Sequence, residues 1–176
     1  MITDEFKSDK VSLLETQKED LQFVIKSENI TDNYQYIGHN TIDEHRMMFS
    51  NKDILHLIIK LKGNQKNIGY VILAGFQNPH NGIELRRIVV NEKGKGFGRA
   101  SLKLIKKMVF DHFNAHRLWL DLKESNTRAF SLYMSEGFSK DGVIRECIFE
   151  DGHYISLLLL SILKEEYELD CSEDSK

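Results

Sequence analysis

Apolar residues recur along this chain with two different periods, and each change of period marks a boundary between elements. Residues 11–14 form a short apolar run with strand character, and from 19 to 26 the side chains of Leu21, Val24 and Ile25 share one helical face. Thr41, followed three residues later by Glu44, has the form of a capping box that opens a second short helix through Met47, Met48 and Phe49. Residues 54–61 and 68–76 are rich in β-branched side chains and flank the turn-forming pair Gly63-Asn64, the pattern of an antiparallel hairpin. The only proline, Pro79, lies in the turn cluster 77–82, which leads into a further strand over residues 83–90.

Beyond a glycine-rich stretch, Leu102, Ile105, Val109 and Phe113 recur at helical spacing while Lys103, Lys106 and Lys107 face elsewhere, which predicts an amphipathic helix ending near Asn114. A strand over 117–122 follows, then a helix over 127–135 closed by Gly137 at its C′ position. Strands around 143–149 and 154–160 are joined by the hairpin pair Asp151-Gly152. This alternation predicts an α/β or α+β sheet with helices on its faces, built as a single domain over residues 1–163. Residues 164–176, dominated by Glu, Asp, Ser and Lys, are expected to fray.

Composition narrows the class of protein. With 176 residues and 41% hydrophobic content the chain can fill one core, and a net charge of −3 lacks the basic excess of a nucleic-acid binder. The two cysteines, Cys147 and Cys171, build neither a disulfide framework nor a zinc site. Residues 1–10 hold no apolar h-region, and the apolar run 157–160, with Ile155 and Ile162 beside it, is too short to span a bilayer. A reducing, cytoplasmic setting is expected, with neither nucleic acid nor membrane as partner.

The candidate chemistry begins at Lys93-Gly94-Lys95-Gly96-Phe97-Gly98, between a strand and a helix. The first amides of a helix lack partners and its dipole favours negative charge, so glycines there let the backbone approach a phosphate, with Lys93, Lys95 and Arg99 adding positive charge. The alternative is a merely flexible turn. A P-loop is excluded because Gly98 is followed by Arg99-Ala100 instead of Lys and Ser or Thr. The dinucleotide fingerprint fits poorly, because Asn91-Glu92-Lys93 intervenes after the strand and Gly98 falls too early, although Asp121 mimics the ribose-binding acid of that fold.

With Lys93 in place of the usual Gln or Arg, this loop resembles the cofactor motif of the GNAT superfamily of N-acetyltransferases. A second motif of that family is matched by Asn126, Ala129, Leu132-Tyr133 and Gly137-Phe138. The resemblance covers about residues 54–160 and lies nearest the branch of ribosomal-protein and polyamine N-acetyltransferases. It implies a mixed, mostly antiparallel sheet of six to seven strands flanked by about four helices. It also implies acetyl-CoA as co-substrate, with acetyl transfer to a primary amine, in a small amine, a polyamine or a protein N-terminus, by direct attack in a ternary complex.

By the same resemblance, the pyrophosphate rests on Lys93, Gly94, Lys95, Gly96, Phe97, Gly98 and Arg99, and backbone groups of Ile88, Val89 and Val90 line the acetyl end. Asn126, Ala129 and Tyr133 adjoin the pantetheine arm, Tyr133 as general acid to the leaving thiolate. An ammonium of pKa near 10 is only about one part in a thousand neutral at pH 7, so a base is needed. Relatives often carry one on the strand before the glycine loop, which puts forward Glu84, expected by period-2 alternation to share a face with Arg86, Ile88 and Val90. From the residues alone, Glu84 reads equally as a surface carboxylate paired with Arg86 or Arg87, Tyr133 as part of an apolar patch with Ala129, Phe130 and Met134, and Asn126 as an N-cap.

No metal is expected: His112 and His116 stand at i, i+4, but Phe113 occupies the place where a zinc-protease motif needs glutamate. Trp119 reads as core. The competing function is a non-catalytic acyl-CoA-binding module. Selectivity for the acceptor is expected from the N-terminal helices and from loops 29–40 and 77–82, and a homodimer is compatible with the resemblance.

Overall fold

The computed structural model describes residues 6–173. Eight strands form one sheet in the order β1-β2-β3-β4-β5-β6-β8-β7. They are β1 (Phe6–Lys7), β2 (Val11–Glu15), β3 (Ile54–Leu61), β4 (Asn67–Ala74), β5 (Gly82–Val90), β6 (Arg117–Lys123), β7 (Ser139–Glu150) and β8 (His153–Leu163). Every neighbouring pair is antiparallel except β5 with β6. The helices are α1 (Leu21–Glu28), α2 (Thr31–Tyr34), α3 (Ile42–Ser50), α4 (Phe97–Lys107), α5 (Thr127–Ser135) and α6 (Lys164–Glu173). The expected fold class holds, with one strand and two helices more than the sequence pattern delivered.

β3 and β4 are apolar almost without alternation because the sheet is covered on both faces. On one face Leu57, Val71, Leu73, Leu85 and Val90 pack with Leu102 and Ile105 of α4 and with Phe138. On the other, Ile58, Tyr70, Ile72 and Val89 pack with Val24 of α1. Each such fully buried aliphatic side chain contributes roughly 1.5–3 kcal/mol, which makes these central strands the firm part of the sheet.

The capping box of α3 forms as its sequence predicts: Glu44 N–H donates to the Thr41 hydroxyl at 3.2 Å and Thr41 N–H donates to the Glu44 carboxylate at 2.6 Å. Helix α4 continues through a π-helical turn, Met108–His112, before the chain turns at Asn114 with φ 52°. The segment from Lys164, expected to fray, is instead helical in α6. Its anchor is Tyr167, buried and stacked on Phe110 with ring centroids 4.9 Å apart. A single aromatic among charged residues is a weak periodic signal, and for that reason the composition misled.

Candidate active site

β5 and β6 pair only through Gly82 with Arg117, Ile83 with Leu118 and Glu84 with Trp119. Past that point β5 runs on to Val90 bonded to β4, and β6 runs on to Lys123 bonded to β8, so the sheet opens into a split. Asn91 N–H donates to the Ile68 carbonyl at 2.8 Å, and the Val89 carbonyl is so close to Gly69 that a Cβ there would lie 2.1 Å from it. Val89 and Asn91 therefore point their backbone groups at β4, and by alternation those of Ile88 and Val90 face the split. Gly69 is required for this close approach.

A bulge corrects one sequence expectation. Ile72 is opposite Arg87 while Leu73 is opposite Leu85, leaving Arg86 as an extra residue in β5. The alternation changes phase there, so Ile88 and Val90 point to the α4 face whereas Glu84 points to the α1 face with Arg87 and Val89.

At the end of β5 the glycine loop turns into α4. Gly94 and Gly96 both have φ 77°, a left-handed conformation that glycine adopts at little cost. Gly96 is the N-cap and offers no side chain, and the first helical bond is Ala100 N–H to Gly96 O at 3.0 Å. The amides of Phe97, Gly98 and Arg99 thus face outward without intrahelical partners, a cradle suited to a pyrophosphate.

The predicted cations around it are already engaged. Lys93 donates to Asn33 Oδ1 at 2.5 Å, Lys95 to Glu92 at 2.8 Å, and Arg99 to Glu136 and to Ser135 Oγ. Burial, and then the charge of Arg128, lowers the Lys93 ammonium below its ordinary pKa. Arg128, in the first turn of α5, makes no ion pair among the described residues; the sequence reading missed it because it lies outside the glycine motif.

Helix α5 lies against α4, held by Lys106 Nζ donating to the Glu136 carbonyl at 2.6 Å. Asn126 is its N-cap, accepting from Ala129 N–H at 3.2 Å, and Ala129 packs on the core. Tyr133 is 7% exposed, with its ring centroid 5.4 Å from that of Phe138. Burial raises its phenol pKa, so the hydroxyl keeps its proton, and it meets no hydrogen-bond partner among the described residues. The glycine loop, α4 and Tyr133 all lie on one face of the sheet.

The opposite face of the split carries Glu84 from β5 and Trp119, Asp121 and Lys123 from β6. Trp119, read as core, is only half-buried here, with the Arg117 guanidinium 5.8 Å from its ring centroid. Glu84 is gripped by Arg86 through Nε at 3.1 Å and Nη2 at 2.8 Å. Lys123 Nζ donates to the Gln35 carbonyl at 2.8 Å and pairs with Glu150, while Asn33 is tied to Lys93 and Asn91. The α2 segment is therefore fastened to both sides of the split.

A model of the acetyltransferase (GNAT) family matches residues 13–138, which takes in the split, the glycine loop and α5. The chain belongs to that family. The match begins well before the motifs legible in the sequence and includes the N-terminal helices. Spermidine N(1)-acetyltransferase of Vibrio cholerae is 32% identical over 105 residues, 58% of this chain and 61% of that relative. An uncharacterized N-acetyltransferase, p20 of Bacillus licheniformis, is 30% identical over 77 residues, 44% of this chain and 43% of its own length. These matches span less than two thirds of either relative.

Among solved structures, the spermidine N-acetyltransferase of Vibrio cholerae in complex with CoA and spermine superimposes with a TM-score of 0.82 at 22% identity, over 92% of this chain and 99% of that one. An acetyltransferase of the GNAT family from Bacillus anthracis gives 0.78 at 18% identity, over 92% and 99%. Both likenesses concern the fold.

This family member also carries a polar network that its sequence did not announce. Glu28, at the end of α1 and 1% exposed, accepts from Tyr70 Oη at 2.6 Å, Arg87 Nη1 at 2.6 Å, His45 Nε2 at 3.1 Å and Asn40 N–H at 3.1 Å. His45 Nδ1 lies 3.2 Å from His56 Nε2, and His56 Nδ1 lies 2.9 Å from Thr16 Oγ1. Burial alone would raise the Glu28 carboxyl, but the bonds from His45, Tyr70 and Asn40 and the Arg87 charge outweigh it and hold it at about 2. His56 is pushed down to about 3, by burial first and then by the charges of His45 and Arg87. Among the described residues no cluster of three or more His, Cys, Asp or Glu has the makings of a metal site, and no helix is long and apolar enough to cross a membrane.

Proposed function

We propose that this protein is an acetyl-CoA-dependent N-acetyltransferase that acetylates a primary amine by direct attack in a ternary complex. The observation that carries the reading is the split between β5 and β6, with a left-handed glycine cradle on one face and carboxylates on the other. A thioester held along Ile88–Val90 would be reached by an amine only through that split. The amides of Phe97, Gly98 and Arg99 would hold the pyrophosphate, and Arg128, without an ion pair among the described residues, adds positive charge close by.

Attack of nitrogen on the thioester carbonyl develops an oxyanion, for which the backbone N–H groups of Ile88 and Val90, turned into the split, are preorganised donors. Tyr133, kept protonated by burial, gives its proton to the departing thiolate. The acceptor is a small cationic amine. Support comes from the carboxylates Glu84, Asp121 and Glu150 around the α1 face and from the spermidine acetyltransferase of Vibrio cholerae among the relatives.

The test is calorimetric titration with acetyl-CoA, with NADH and ATP as controls, followed by a panel containing spermidine, spermine, a monoamine and a peptide N-terminus. Selective acetyl-CoA binding with transfer is expected. Binding without transfer to any amine would favour the non-catalytic acyl-CoA module, and NADH binding would overturn both. Gly96→Asp is expected to abolish acetyl-CoA binding by setting a carboxylate against the pyrophosphate. Asp tolerates the left-handed backbone, and the nearest atom to the new Cβ is the flexible Lys10 Nζ at 3.1 Å, so the fold survives.

A further inference from the structure

We infer that Asp121, and not Glu84, is the group that takes the proton from the acceptor ammonium. The inference rests on the acetyl-transfer reading above and adds a catalytic residue to it. The two carboxylates lie on the same face, since Glu84 is opposite Trp119 and Asp121 stands two residues farther along β6. They differ in position and in freedom. Glu84 sits where the strands are still paired, and its carboxylate is held by two nitrogens of Arg86. Asp121 sits past the last paired residue, inside the split, and its partly exposed carboxylate has no hydrogen-bond or salt-bridge partner among the described residues.

The other charged neighbour on its own strand, Lys123, is spent on Gln35 and Glu150. Of the split's carboxylates on this face, Asp121 is therefore the one unengaged among the described residues, on the side opposite the glycine cradle and Tyr133. Partial burial and then the negative charge of Glu84 raise its carboxyl above the usual aspartate range, toward a better proton acceptor.

The step balances as follows. The ammonium passes one proton to the Asp121 carboxylate, and the neutral amine forms the C–N bond as the C–S bond breaks. The thiolate takes the Tyr133 proton, the nitrogen's second proton restores the tyrosine hydroxyl, and Asp121 releases its proton to solvent. A base is indispensable only when the acceptor arrives protonated, which supplies a readout that a purely structural role would not move.

Acetyl transfer is measured at about pH 8.5 for wild type, Asp121→Asn, Asp121→Glu and Glu84→Gln, with the best acceptor of the wild-type panel and its β,β-difluoro analogue, whose nitrogen is mostly neutral at that pH while the parent ammonium stays mostly charged. Asp121→Asn is expected to lower kcat/KM by about 10²-fold or more for the basic amine but only several-fold for the fluorinated one, with acetyl-CoA affinity and thermal midpoint retained. Asp121→Glu, which keeps a carboxylate, is expected to recover most of the rate. An equal loss on both amines, an unaffected Asp121→Asn, or the selective loss appearing in Glu84→Gln instead overturns the assignment while leaving acetyl transfer intact. A wild-type protein that acetylates no amine overturns the assignment together with the proposed function.

Discussion

Tyr70 and Tyr133 are both buried phenols whose ionisation is pushed upward by burial, and they belong to two regions built in opposite ways. Tyr70 donates to Glu28 at 2.6 Å inside a network where Arg87, His45 and Asn40 converge on the same carboxylate. Tyr133, buried on the α4 face of the sheet, has its hydroxyl unpartnered among the described residues, as has the Asp121 carboxylate on the opposite face. Saturated groups hold their proton states against perturbation and tie elements together. Here Glu28 links α1, the segment before α3, β4 and β5. Unsaturated groups beside an opening are the ones able to exchange a proton with a ligand. A perturbed pKa by itself would have flagged both regions equally; the count of partners separates them.

The largest effect that breaks this contrast is expected from Glu28→Ala, which leaves the Arg87 guanidinium and the Tyr70, His45 and Asn40 donors without an acceptor. Removing one partner of a buried charge pair costs about 3–5 kcal/mol. For a chain of this length that lowers the thermal midpoint by roughly 10 °C, measurable by calorimetry. A loss under about 1 kcal/mol would mean that water replaces the carboxylate freely and that the network is not structural.

The two tyrosines give the sharper test because the same single-atom change is made in each. Tyr133→Phe is expected to cut turnover by about 10²-fold while acetyl-CoA affinity and thermal midpoint stay near wild type, since the hydroxyl makes no hydrogen bond among the described residues. Tyr70→Phe is expected to do the reverse: it deletes a hydrogen bond to a charged group worth about 1.5–3 kcal/mol, and folded molecules retain their turnover. Should both variants lose stability alike, or both lose rate alike, the division between closed and open regions fails.

Much of the open region was legible in sequence because it is local. Gly94, Gly96 and Gly98 lie at the start of an amphipathic helix, and Asn126 to Tyr133 occupy one short helix; spacing marked each segment, and the family resemblance joined the two into one site. The bulge at Arg86 was not legible, because one extra residue leaves no mark on composition yet reverses which side chains share a face with Glu84. Asp121 was visible only as a misfit to another fold. Its meaning depends on where β5 and β6 cease to pair, which no local pattern records. The closed network was invisible for a related reason: Thr16, Glu28, His45, His56, Tyr70 and Arg87 come from six elements or their ends, and a lone polar residue in an apolar run does not disclose its partner.

Acid offers the smallest and most selective probe of the closed region. His56 is neutral and buried in the folded chain, with its pKa pushed to about 3 against an ordinary 6.5, so below the ordinary value the unfolded chain binds a proton that the folded chain refuses. Stability therefore falls as pH drops from 6.5 toward 3, and by pH 5.5 the loss from this group alone is about 1 kcal/mol. Glu28 adds its share later: its stabilisation is complete above 4.5 and is lost as pH falls through about 2. Thermal midpoints taken between pH 7 and 5 should accordingly decline in the wild type and decline less in His56→Asn, which cannot take up that proton in either state. A slope unchanged by the substitution would show that His56 takes up its proton equally in the folded and the unfolded chain, and that burial does not hold it neutral.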